Sequence, residues 1–207
     1  MRTLLAFILL SVLATARAAI DLTPVPHETT CEGFTFKELL FKDGPRQIVY
    51  QMPNKWTYRA GSGEVRLIPP DLANADAVIR ATPLPAVKRL DEQAIATAKE
   101  DLLSKLPPGS QLATVVSEEP NTVPLSGNPT YEIVVSYQVM GQTFLRSCVI
   151  SNVGDTQLSF RLTARKSDFE KVHQTFRSSI LSWHWIEPSR TAVVAQSNQP
   201  PAAAARQ

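Results

Sequence analysis

The residues that could do chemistry in this chain are few and widely separated. Its three histidines are His27, His173 and His184. A hydrolase needs a nucleophile, a base that takes the proton of the nucleophile and a group that orients the base. No Gly-x-Ser-x-Gly motif is present, and the serine-glycine pair Ser126-Gly127 lies in a loop pattern without the strand and helix that such a motif requires. The sequence therefore predicts no catalytic site.

A metal site would need several His, Cys, Asp or Glu side chains at close spacing. His27, Glu28 and Cys31 lie near one another in the chain, but a fourth ligand is missing. A solvated segment is the favoured interpretation of these residues. We expect neither a metal nor any other cofactor.

The sequence Trp183-His184-Trp185 is the most unusual local cluster. Adjacent aromatic residues at the end of a helix cannot all point into one core, so one of them is expected at the surface. Because exposed aromatic side chains are enriched in interfaces, these three residues are a candidate contact with a partner. The alternative, which ordinary packing favours, is that they cover the edge of a sheet.

Three strands that form an antiparallel meander are predicted before this cluster. Tyr131 to Val139 alternates apolar and polar residues, Phe144 to Ile150 is apolar on both faces, and Gln157 to Thr163 alternates again. Gly141 and Gly154 supply the turns between them. The pattern indicates a sheet that is covered on both faces in its middle.

A helix is predicted directly after the meander. Ser167 is the predicted N-cap and Glu170 its partner in a capping box. One apolar stripe follows at steps of three and four residues, which predicts that the helix packs on the sheet. The stripe consists of Phe169, Val172, Phe176, Ile180 and Trp183.

The first half of the chain is β-rich with a weaker pattern, and it contains a second helix. Asp91 is predicted to cap that helix, and Pro107-Pro108 to end it. A polar loop is predicted from Glu118 to Asn128. The predicted buried stripe of the helix is Ile95, Ala98, Leu102 and Leu106, and the strands are predicted at Phe34–Phe41, Arg46–Gln51, Trp56–Tyr58, Glu64–Ile68, Ala77–Ala81 and Gln111–Val116.

The first 18 residues have the pattern of a secretory signal peptide. Arg2 precedes an apolar run that is too short to span a bilayer, and Ala16-Arg17-Ala18 is a small-x-small cleavage site. No later run predicts a membrane span, so we expect an exported protein, periplasmic or secreted. The whole chain has 21 basic and 19 acidic residues, and loss of Arg2 and Arg17 makes it neutral. Nucleic acid is therefore not an expected partner.

Export also bears on the two cysteines, Cys31 and Cys148. An oxidising compartment favours a disulfide between them, which would contribute roughly 4–5 kcal/mol in the chain-entropy model. The alternative is a pair of buried free thiols. Sequence alone leaves both open.

We divide the chain into a signal peptide (1–18), an N-terminal lead-in (19–33), a single α+β domain (34–185) and a disordered tail rich in Pro and Ala (186–207). The tail has no apolar periodicity and ends in Pro200-Pro201 followed by alanines. No internal repeat is found.

The sequence Ile48 to Trp56, a strand followed by Pro53, a short turn and Trp56, precedes a helix, a three-strand meander and the helix that ends near Trp183. This order of elements resembles the PsbP-like superfamily, which includes Mog-type Ran-binding proteins and DcrB-like envelope proteins. The resemblance covers about 34–185. It implies an α+β fold in which an antiparallel sheet is flanked by helices as an α/β/α sandwich, and members that bind other proteins or assist assemblies.

From these observations we expect a non-catalytic binding or accessory protein that presents a surface to another envelope protein. An alternative is a carrier of small molecules or lipids with a pocket between sheet and helix. A second alternative is an enzyme whose site is not recognised. Resemblance in fold does not decide between these three functions.

Overall fold

The computed structural model describes residues 20–187. The predicted signal peptide and the tail beyond residue 187 lie outside the described residues. No helix within 20–187 is long and apolar enough to cross a membrane. The elements are β1 (Asp21–Cys31), β2 (Phe34–Asp43), β3 (Arg46–Gln51), β4 (Thr57–Gly61), β5 (Glu64–Ile68), β6 (Asp76–Pro83), α1 (Glu92–Ser104), β7 (Gln111–Pro120), β8 (Tyr131–Val139), β9 (Gln142–Val153), β10 (Thr156–Arg165), α2 (Lys166–Ile180) and β11 (His184–Ile186).

The main sheet has seven antiparallel strands in the order β4-β5-β6-β10-β9-β8-β7. The predicted meander is confirmed as β8, β9 and β10. On β8 Ile133 and Val135 are buried on one face, and Glu132 and Val134 are buried on the other. The middle of this sheet is therefore covered on both sides, as its apolar composition predicts.

A second sheet has four strands in the order β1-β2-β3-β11. The segment that we named a lead-in forms β1, an 11-residue strand without a recognisable apolar alternation. It pairs with β2 from Val25↔Leu40 to Cys31↔Phe34, after an irregularity near its start. Because β1 is an edge strand, it tolerates Pro24 and Pro26, which cannot donate hydrogen bonds to a ladder.

The two faces of the main sheet are covered differently. The four-stranded sheet and α2 share one face, where the large core forms, and α1 covers part of the other. The predicted stripe of α2 is buried throughout, with Trp183 at 1% exposure after the end of the helix. Strands and helices in this arrangement confirm the α+β class with helices on both faces of an antiparallel sheet.

The start of α2 differs from the predicted capping box. The helix begins at Lys166, and Arg165 in the N-cap position makes no side-chain hydrogen bond to the helix. The reason is that β10 ends at Arg165, so the chain passes from strand to helix with no loop, and Ser167 is already helical. The predicted cap of α1 is confirmed, since the Asp91 carboxylate accepts a hydrogen bond of 2.8 Å from the Ala94 N–H.

The segment from Glu118 to Asn128 is not the simple polar loop that its composition predicts. β7 continues to Pro120, and Val123 and Leu125 are buried in the core at 2% and 0% exposure. The Thr130 hydroxyl donates a hydrogen bond of 2.9 Å to the Val123 carbonyl. This segment thus closes one end of the core.

The predicted stripe of α1 is only partly correct. Leu102 is buried, but Ile95, Ala98 and Leu106 are half-buried, and the other buried residue of the helix is Ala94. Leu102 packs on Ile133 and Val135 of β8. The helix therefore lies over the β8 side of the sheet and leaves part of the β6–β10 side uncovered.

Candidate functional site

The aromatic cluster at residues 183–185 divides between the core and a sheet edge. The Trp183 ring packs on Phe41 and Phe160 at centroid distances of 5.6 and 5.2 Å, so Trp183 is not available to a partner in this fold. Trp185 is half-buried in β11, and its indole N–H donates 2.9 Å to Asp43 Oδ2. This is the sheet-edge arrangement. A partner contact through exposed His184 and Trp185 stays a prediction.

The two cysteines lie on different sheets. Cys148 is on β9, opposite Ile133 and Arg161, and its thiol has no disulfide partner among the side chains that the structure describes. Burial raises the pKa of the Cys148 thiol to about 11, so the thiolate is not favoured at neutral pH. Cys31 is the last residue of β1. The disulfide between Cys31 and Cys148 stays a prediction.

A buried polar cluster joins α2 to the sheet. His173 Nε2 lies 2.6 Å from Glu132 Oε1, and the Ser147 hydroxyl donates 2.6 Å to the same oxygen. Arg177 Nε lies 3.6 Å from Glu132 Oε2. The His173 ring is stacked on Phe169 with centroids 4.7 Å apart. Spacing did not reveal this cluster, because Glu132 and His173 are 41 residues apart.

Burial acts on the pKa of this carboxylate in one direction, and its hydrogen bonds and the nearby charges act in the other. Burial pushes the pKa of Glu132 upward, but the hydrogen bonds from His173 and Ser147 and the nearby charges of His173 and Arg177 outweigh it. The net pKa of the Glu132 carboxyl is below its usual value. Glu132 is therefore held ionised against the cost of burial.

The order of the three side chains does not suit nucleophilic catalysis. The Ser147 hydroxyl donates to Glu132 and not to the imidazole, so the Ser–His hydrogen bond of a triad is absent, and the lowered pKa of Glu132 makes its carboxylate a weak base. Ser147 and His173 are 2% and 8% exposed, and none of the three cavities described for residues 20–187 is lined by them. The cluster fixes α2 on the sheet.

No group of three or more His, Cys, Asp or Glu that could hold a metal is found within 20–187. His27 instead faces β2, where its Nδ1 lies 3.2 Å from Glu38 Oε2. An open cavity of about 310 Å³ lies next to this pair, between the first hairpin and β4. Met52, Trp56 and Tyr58 line its apolar side.

The most enclosed of the three cavities lies where α1 leaves the main sheet uncovered. Its volume is about 320 Å³. We name it the α1 groove. One wall is α1, and the floor is formed by side chains of β6, β9 and β10. The lining residues used below are Val78, Arg80, Ala98, Asp101, Arg146, Cys148, Ile150 and Arg161, together with Lys88 and Lys105 at the rim.

The α1 groove is apolar in its floor and basic around it. Val78, Cys148 and Ile150 supply floor area, and Ala94 and Ala98 supply the helix wall. Five cationic side chains line the groove and one carboxylate, that of Asp101, accompanies them. Such a surface can bury an apolar group and attract negative charge.

No family model and no curated protein matches the chain. Among solved structures, PsbP of Synechocystis sp. PCC 6803 is 14% identical and covers 83% of this chain and 95% of its own, with a TM-score of 0.49. The protein of unknown function PA94 from Pseudomonas aeruginosa is 12% identical, covers 80% and 99% of the two chains and has a TM-score of 0.44.

LpqN of Mycobacterium tuberculosis, described as involved in cell envelope biogenesis, is 15% identical and covers 80% of this chain and 92% of its own, with a TM-score of 0.43. A PsbP is thus among the similar solved structures, as the order of elements leads one to expect. Because these TM-scores are below 0.5, the likenesses carry no further argument, and function has to be argued from the side chains.

Proposed function

We propose that this protein is a non-catalytic carrier of a small ligand and that the α1 groove is the ligand site. The observation that carries the proposal is the incomplete cover of one sheet face. Only two residues of α1, Ala94 and Leu102, are themselves buried. A cavity of about 320 Å³ remains between the helix and β6, β9 and β10. This volume lies at the lower end of the range for small-molecule sites, roughly 300–1,000 Å³.

The composition of the groove floor supports a ligand with an apolar part. Val78 and Ile150 are buried beneath the groove, and the half-buried Ala98 lies on the helix above them. Each Å² of apolar surface that a ligand removes from water contributes about 25 cal/mol. The small side chains of Ala94 and Ala98 are what leave the space open.

Filling the groove tests the proposal. We expect Ala98→Trp to weaken the binding of a neutral apolar dye, Nile red, by about tenfold or more, because the indole occupies the cavity. The matched control is Ala96→Trp, since Ala96 is exposed on the same helix and does not line the groove. Fluorescence titration of both variants gives the affinities. Equal affinity in the two variants would exclude the groove as the dye site.

A second candidate function is the presentation of a surface to another envelope protein. The observation that favours it is β7, which pairs with β8 alone among the described strands and exposes Leu112 and Val116 at 73% and 57%. Met140, 98% exposed, lies in the β8–β9 turn. A free edge with apolar side chains can pair with an extended segment of a partner.

That partner would lie outside the cytoplasm if the protein is exported, as the predicted signal peptide indicates. Crosslinking from a photoreactive residue at Val116, carried out in the envelope fraction, would join the protein to one partner reproducibly. The same residue placed at Arg59 on exposed β4 is the control. Identical products from both positions would exclude a specific β7 contact.

A further inference from the structure

The α1 groove contains one cationic side chain, that of Arg161, with neither a carboxylate partner nor a side-chain hydrogen bond within residues 20–187. We propose, resting on the carrier function above, that the ligand of the groove is an amphiphile with a single anionic head group, a carboxylate or a phosphate, and that Arg161 binds the head group. The apolar body of the ligand lies along the floor beside it.

Arg161 occupies the middle of the groove floor. It lies on β10 with Val78 of β6 opposite on one side and Cys148 of β9 opposite on the other. Within residues 20–187 no carboxylate lies within 4.0 Å of its guanidinium, and no hydrogen bond to its side chain is formed. A guanidinium between two apolar neighbours keeps its donors free for an anion that presents two oxygens.

Three of the other cations at the groove already have carboxylate partners. Arg80 forms an ion pair with Glu64 on β5. Lys105 Nζ lies 2.6 Å from Asp101 Oδ1, and Lys88 Nζ lies 3.9 Å from Asp91 Oδ1 at the rim. In each of these pairs the carboxylate offsets the charge of the cation. The attraction of an anion to the groove therefore depends on Arg146 and Arg161.

Arg146 is the fourth cation and it is held by neutral groups. Its Nε donates 3.1 Å to Thr163 Oγ1 and its Nη1 donates 3.0 Å to the Lys105 carbonyl. Arg146 is 6% exposed, and burial lowers the pKa of its guanidinium; the charge of Arg161 acts in the same direction, and Tyr137 and the charge of Asp76 act against it. Within residues 20–187 neither guanidinium has a carboxylate within 4.0 Å, so the two neighbouring groups create an excess of positive charge that one anion would offset.

The division of roles between these two arginines limits the ligand. Arg146 uses its donors in hydrogen bonds within the protein and contributes positive electrostatic potential to the groove. The guanidinium N–H groups of Arg161 are free, and two of them can bind two oxygens of one carboxylate or phosphate. The apolar floor at Val78 and Ile150 lies next to it and offers no further charge. A ligand with an anionic head group and a short hydrocarbon chain fits both Arg161 and the apolar floor.

The test uses isothermal titration calorimetry of the full exported chain with four probes: octanoate, octyl phosphate, octanol and inorganic phosphate. We expect octanoate and octyl phosphate to bind more tightly than octanol. Arg161→Met should weaken the two anionic amphiphiles by about 10–100-fold and leave octanol unchanged, because the loss is one charge-assisted hydrogen-bonded pair. Arg161→Lys should give an intermediate loss.

The matched control is Arg66→Met. Arg66 lies opposite Val78 on β5, on the same face of the sheet, but it is exposed, faces Asp76 at 3.7 Å and does not line the groove. It removes the same charge from the same face, and we expect no change in the affinity for octanoate. Thermal unfolding of each variant confirms that it is folded.

The outcomes separate this inference from the carrier function. Equal loss in Arg161→Met and Arg66→Met, or no preference for octanoate over octanol, overturns the anionic head group while the effect of Ala98→Trp on Nile red still stands. Inorganic phosphate that binds as tightly as octyl phosphate overturns the amphiphile in favour of a free anion. Ligand-free dimers that octanoate dissociates would make a second copy the occupant and overturn the proposal.

Discussion

Replacement of Trp183 with alanine is expected to lower the free energy of unfolding by about 3–5 kcal/mol. The indole is 1% exposed, and the rings of Phe41, Tyr50 and Phe160 surround it at centroid distances of 5.6, 6.0 and 5.2 Å. Its Nε1 has no hydrogen-bond acceptor within 20–187, so the loss is one of packing and apolar burial. Urea denaturation followed by circular dichroism measures the change.

Leu181→Ala is the control for this substitution. Leu181 is 60% exposed and lies two residues before Trp183 at the end of the same helix. We expect a change within about 0.5 kcal/mol. If the two variants lose similar stability, then Trp183 does not join the two sheets and α2 in the way that the ring distances indicate.

Glu132→Ala is expected to lower the free energy of unfolding by about 3–5 kcal/mol, because it removes one partner from a buried ionic cluster. His173 and Ser147 lose an acceptor at 2.6 Å, and Arg177 loses the carboxylate at 3.6 Å. The control is Glu119→Ala: Glu119 lies opposite Glu132 on β7 and is exposed. Chemical denaturation at pH 7 measures both, and equal effects would contradict a specific role for the cluster.

The same carboxylate should give stability a dependence on acid pH. The pKa of Glu132 is lower in the folded protein than the ordinary value of 4.5, so the unfolded chain binds its proton first as the pH falls. The contribution of Glu132 is complete above the ordinary value and is lost as the pH falls through the folded pKa. Glu132→Gln should show a flatter decline of stability between pH 5 and pH 3 than the unsubstituted protein; parallel curves would contradict this.

Patterns that repeat within a few residues were sufficient for the second half of the fold. The stripe from Phe169 to Ile180 and the alternation in β8 and β10 are local, and the structure buries most of the residues that they select, although Tyr131 and Val139 at the ends of β8 are half-buried. β1 has no such pattern, because of its described side chains only Leu22 near its start is buried in the core, and the rest of its place in the sheet depends on pairing with β2. Val123 and Leu125 were missed since a buried loop has no period.

The groove was beyond prediction for a related reason. Arg161 alternates with apolar residues on β10, a pattern that usually indicates a face exposed to water. Whether such an arginine is balanced depends on which carboxylates other strands bring to it, and Glu64 reaches Arg80 instead. His173 follows the stripe residue Val172 on α2, but its partner Glu132 lies on a strand 41 residues away in the sequence.

The direct passage from β10 into α2 has a structural consequence. Arg161 faces the groove on one side of β10, and the next residue, Leu162, is buried against the core on the other. Four residues later the strand has become the helix, with no loop residue to absorb a change of direction. The groove residue Arg161 and the first residue of α2, Lys166, therefore belong to one continuous stretch of regular backbone.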